Sequence, residues 1–125
     1  MTYDHTDAVA AIQARDCRFD SAFSSFDAFS DFRDTVLPFM ETADVRWFWQ
    51  QIMTPSQLQQ TLEMVRDVMI DCAISEGLEL GSDFSLGYQD GQPVLHIHAA
   101  REGLLMGMVP AARRSMVRAF IAPVA

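Results

Sequence analysis

The feature that most constrains this chain is a change in hydrophobic period at Gly77. Before it, apolar residues recur three and four apart, the spacing of one helix face; after it they alternate, the spacing of a half-buried strand. A chain that is helical first and extended second packs as α+β, not as the alternating units of a parallel α/β sheet. The clearest local signal precedes the change. Thr54-Pro55-Ser56-Gln57 combines a capping Thr, Pro at the first helical position and Gln at the third. The helix it opens carries Leu58, Leu62, Val65, Met69 and Cys72 on one stripe, and Gly77 ends it.

Three further helices are predicted upstream. Thr6 is the expected cap of the first, which runs toward Arg15, with a break near Cys17–Ser21. The second lies in DSAFSSFDAFSDFRDT (Asp20–Thr35), with Ser24 as cap and Pro38 disfavouring helix at Leu37. At 100° per residue, Phe26, Phe29, Phe32 and Val36 share an arc of about 120° and are the expected core stripe. Asp27, Asp31 and Asp34 cluster within about 60° on the other side, and Phe23 falls outside the stripe, at the turn leading in. Thr42 caps a third helix whose Val45, Phe48, Trp49 and Ile52 face inward, leaving Trp47 for the surface.

Beyond Gly77, FSLGY (Phe84–Tyr88) and PVLHIHA (Pro93–Ala99) flank a turn centred on Asp90-Gly91, which reads as a β-hairpin. LLMGMV (Leu104–Val109), after a turn at Gly103, is the expected third strand. Pro110 then opens a short helix with Val117, Phe120 and Ile121 inward and Arg113, Arg114 and Arg118 outward. The predicted architecture is a single domain over residues 1–125. About four N-terminal helices pack on a three-stranded antiparallel meander, followed by a short helix.

Composition narrows the function classes. Half of the 125 residues are hydrophobic, which argues against disorder, and no apolar run approaches the ~20 residues of a bilayer span. The first residues lack the basic-then-apolar order of a secretory signal, and two distant cysteines suit reduced thiols, so a cytoplasmic location is expected. The formal charge is −8, with every basic residue an arginine. Residues 1–45 hold nine acids and three arginines (net −6), whereas residues 100–125 hold one acid and four arginines (net +3). Such a chain is repelled by phosphate, which disfavours direct nucleic-acid and anionic-membrane binding and favours a basic protein partner.

Motifs that carry chemistry are sparse. His96-Ile97-His98 puts two imidazoles on one strand face, close enough to share a metal ion, but no third or fourth ligand stands at a fixed spacing. Cys72, on an apolar stripe, reads as a small hydrophobe rather than a nucleophile. Serine hydrolase, P-loop, dinucleotide and EF-hand patterns are absent. Ala14–Asp20, ARDCRFD, resembles over seven residues the opening of the zinc-binding domain of Ada-type alkylation-repair proteins. That domain needs four cysteines on zinc, and here the cysteine-rich continuation is missing, so no methyl-transfer function follows.

The reading that emerges is a small acidic interaction protein, without a cofactor and more a binder than an enzyme. As an inhibitor, immunity factor or adaptor it would dock Asp20, Asp27, Asp31, Asp34 and Trp47 on a basic protein. The alternative is a small-molecule or metal-binding protein, perhaps catalytic, with His96 and His98 at the junction of sheet and helices. A homo-oligomer using Trp47 and the methionines after the hairpin is a third.

Overall fold

The helix-forming half of the chain resolves into α1 (Thr6–Gln13), α2 (Phe26–Thr35), α3 (Thr42–Ile52) and α4 (Pro55–Glu76). Then come β1 (Phe84–Gln89), β2 (Gln92–His98), α5 (Glu102–Met108), α6 (Arg114–Ala119) and β3 (Ile121–Val124). This is the computed structural model of the chain, and it describes residues 4–125, the side chains of Cys17 and Asp20 excepted. The chain is α+β, and it divides into two compact units, Met1–Ile52 and Met53–Ala125.

In the first unit, local chemistry places the helix starts one or two residues from where spacing alone put them. Asp4, not Thr6, closes the first turn: its carboxylate takes the Thr6 amide at 3.0 Å and the Thr6 hydroxyl at 2.6 Å. Ser25, not Ser24, caps α2, its hydroxyl accepting the Ala28 amide at 3.1 Å. The chain then leaves the helix at Thr35, and Pro38 sits in a single 3-10 turn, Leu37–Phe39.

The core of this unit is aromatic. Phe48 of α3 is fully buried, and its ring lies 5.4–6.4 Å from those of Phe19, Phe23, Phe29 and Phe32. These edge-on, tilted and, for Phe29, stacked contacts each add about 0.5–1.5 kcal/mol beyond the area they bury. The predicted stripe on α2 is rotated. Ala28 and Phe32 are its most buried positions, and Phe26, about 120° away from Phe32, is 73% exposed. Phe23 takes the vacant place, 5.5 Å from Phe29 and 5.3 Å from Phe32, so the ring expected at the rim belongs to the core.

The second unit is built on α4 and the sheet. Thr54 and Gln57 form the expected reciprocal cap, with bonds of 3.2 and 2.9 Å, and Gly77 ends α4 in the left-handed conformation at φ 71°. Leu58, Leu62, Val65 and Met69 are buried as predicted. The last inward position is Ala73, however, and Cys72 is exposed. Helix α4 packs on β1, β2 and α5.

The hairpin forms at the predicted turn and pairs Gln89 opposite Gln92, with Asp90 (φ 54°) and Gly91 (φ 78°) both left-handed, as a two-residue type I′ turn requires. The third strand is a correction. LLMGMV lies almost wholly in helix α5: Leu105 and Val109 are buried while Gly107 between them, which a strand would put on the same face, is exposed, and Leu and Met favour helix over strand. The strand is instead Ile121–Val124, beyond the short C-terminal helix. It pairs parallel with β2 (Leu95 opposite Ile121, Ile97 opposite Pro123). The sheet is therefore mixed, in the order β1-β2-β3, and the crossover through α5 and α6 is what a parallel return needs.

Exchanging the roles of two phenylalanines has a measurable consequence. Phe23→Ala should destabilise the protein by about 2–3 kcal/mol in urea unfolding, somewhat below the fully buried range because Phe23 keeps some exposure. Phe26→Ala should stay within about 0.5 kcal/mol. Comparable losses would mean that Phe26 also belongs to the core.

Candidate interaction surface on the second helix

The rotation of α2 decides what becomes of its acids. The buried arc is centred on Ala28 and Phe32, so Asp31 comes to the rim of the core instead of the middle of an outer face. Its carboxylate is 2.9 Å from His5 Nε2. The imidazole is buried, with its centroid 5.4 Å from Phe32 and 6.3 Å from Phe23. A bond between a buried ring and a partly covered carboxylate ties the start of α1 to the middle of α2, and it withdraws Asp31 from any row of unpaired charge.

The other two acids remain outside. Asp34 is exposed and pairs with its neighbour Arg33, Nε to Oδ1 at 3.0 Å, a contact worth little in water. Asp27 is exposed, and its side chain makes no hydrogen bond or ion pair with another described residue. Directly before it stands Phe26, whose ring meets only that of Phe29 among the described aromatics, at 6.3 Å. The predicted triad is thus three different environments, and the exposed element is the pair Phe26 and Asp27. The side chain of Asp20, predicted to extend the acidic surface, lies outside the described residues.

Trp47 is half-buried. Its ring centroid is 5.4 Å from Phe19, and the Arg15 guanidinium sits over it at 5.7 Å, held there by Asp44 at 2.6 Å and the Ile12 carbonyl at 2.9 Å. A cation on its face leaves Trp47 less available than an open indole. Nearby, Asp16 accepts from the Arg18 guanidinium and from the Arg18 backbone amide. In that order of importance, these bonds lower its pKa to about 2.

In the second unit, His96 and His98 do share a strand face, with Leu95 and Ile97 fully buried on the other. The two rings are differently engaged. His96 lies against Gly87, where an added Cβ would meet its Nε2 at 2.8 Å, and its Nδ1 is buried with no hydrogen-bond partner among the described residues. His98 Nδ1 accepts the Ala100 amide at 3.2 Å, capping the turn that leads into α5. Among the described residues no group of three His, Cys, Asp or Glu side chains could hold a metal ion. No helix among them is long and apolar enough to cross a membrane.

Sequence reasoning missed two participants. The wheel turns Phe26 inward because it counts positions and carries nothing about Phe23, which lies before the helix and takes the same space. His5 has no sequence signal at all for a bond to a residue 26 positions away. No known protein family, no curated protein and no solved structure matches the chain.

Two outcomes test this geometry. Asp31→Asn should destabilise the first unit by about 1–3 kcal/mol in denaturant titration, since it weakens the acceptor facing buried His5, whereas Asp27→Asn should be near neutral. Asp16 has a folded-state pKa below its ordinary 3.8, so its contribution to stability is present above that value and is lost as pH falls toward about 2. A carbon-detected NMR titration should find it ionised at pH 3, and Arg18→Gln should return it toward the ordinary value.

Proposed function

We propose that the protein acts by binding a basic protein partner through the outer face of α2, as an inhibitor, immunity factor or adaptor. The observation that carries this reading is that consecutive residues at the start of α2, Phe26, 73% exposed, and Asp27, whose side chain has no partner among the described residues, are both turned to solvent. An exposed ring and an exposed carboxylate on one helix turn are the composition of a binding anchor. Covering the ring drives association at about 25 cal/mol per Å² of apolar surface, and the acid selects a cationic neighbour. Asp34 adds charge at the far end of the same helix.

The wider field favours the same partner. The first unit holds nine acids and four arginines, a net of −5 within a chain of −8. Such a field speeds encounter with a basic surface and repels polyanions. Support for a site at His96 and His98 is weaker, because one ring is packed against Gly87 and the other is occupied in a turn.

The test leaves Asp31 in place, since it is tied to the core. Partner capture from the native host should weaken about thirty-fold or more in the double variant Phe26→Ala, Asp27→Arg, the range expected of a hot spot. Capture by the unaltered protein should also fall as salt is raised. Recovery of the same partner, with the same salt response, by the folded double variant would refute the reading.

A further inference from the structure

The two edges of the sheet are treated differently. Asp83 O accepts the His98 amide at 2.8 Å, and Asp83 continues the β1–β2 register opposite His98. Alternation along an antiparallel pair then turns the backbone groups of Ser85, Gly87 and Gln89 toward β2 and those of Phe84, Leu86 and Tyr88 away from it. The Phe84 carbonyl is taken by the Gly81 amide at 2.7 Å. The outward N–H and C=O of Leu86 and Tyr88 have no partner among the described residues.

On the opposite edge the Leu95 amide bonds to Phe120 O at 2.8 Å, which sets Ala122 and Val124 toward β2 and turns Ile121 and Pro123 outward. Pro123 therefore puts its missing N–H on the open side, a common protection of an edge strand. β1 has no such protection. Phe-Ser-Leu-Gly-Tyr-Gln contains no charge and no proline, and its pairing with β2 runs without a bulge.

We propose that β1 pairs antiparallel with β1 of a second copy of the chain, joining the two three-stranded sheets edge to edge about a two-fold axis at Gly87. The register follows from the outward groups. Placing Gly87 opposite Gly87 sets Leu86 opposite Tyr88 of the other copy, and each such pair exchanges two backbone hydrogen bonds. Leu86 and Tyr88 lie on the same face of the sheet, so the pairing also makes two aromatic–aliphatic cross-strand contacts from residues that are half-buried and 63% exposed in one copy. Glycine at the axis leaves no side chain to collide. The contact is small and joins two chains of −8, so the dimer is weak and tightens as salt screens the repulsion. It does not depend on the α2 face, which lies in the other unit.

Amide exchange followed by NMR, alongside sedimentation, over about 10 μM to 1 mM protein tests the pairing in the range expected of a weak contact. The Ser85 and Gly87 amides should be protected throughout. Those of Leu86 and Tyr88 should exchange freely when dilute and become protected together as dimer accumulates. Tyr88→Pro should weaken dimerisation at least ten-fold with the Ser85 and Gly87 protection retained. Tyr88→Lys should weaken it too, although it reduces net charge and would strengthen a merely electrostatic association. A strict monomer at the highest concentration overturns the proposal, and so does a dimer in which the Leu86 and Tyr88 amides still exchange freely.

Discussion

The buried ring of Phe48 sets the arrangement from which the candidate surface follows. It contacts aromatic side chains from the turn before α2, from α2 itself and from its own helix. Once Phe23 and Phe32 both approach it, α2 has one rotation that satisfies them, and that rotation sends Phe26 outward and Asp31 to the rim. The outer face of α2 is thus a by-product of core packing. Ring contacts outweigh the symmetry of the acid row, because each buried ring is worth kilocalories while unpaired surface charges shift stability by tenths.

The second unit answers to a comparable constraint in β2, whose Leu95 and Ile97 are fully buried between neighbours on both sides. The hairpin determines the partner on one side locally. The partner on the other side arrives only after the crossover through α5 and α6, and its parallel direction follows from that route. A central strand leaves two edges, and the contrast between Pro123 on one and the uncharged, proline-free β1 on the other gives the sheet a single side open to pairing. The helix face and the sheet edge are the two surfaces on which the proposed contacts rest, one in each unit.

Signals written in neighbouring residues were legible in advance. The Thr54–Gln57 cap, the Gly77 stop, the Asp90-Gly91 hairpin turn and the helix break before Pro38 all depend on side chains within a few positions of the backbone they govern. The α+β class followed from the change of period, and it holds. The error over LLMGMV came from apolar residues so dense that alternation and helical spacing both fit. What separates them is that Gly107 is exposed between buried Leu105 and Val109, since a strand would put all three on one face.

By itself, then, the sequence determined where helices and the hairpin begin and end, because caps, turns and periodicity are short-range chemistry. Tertiary structure decided which face of each helix is covered and which segment completes the sheet. Whether Phe23 or Phe26 occupies the core, and whether Asp31 is a free charge or the partner of His5, depends on packing against residues distant in the chain, Phe48 and His5. No local spacing encodes the outcome of that packing.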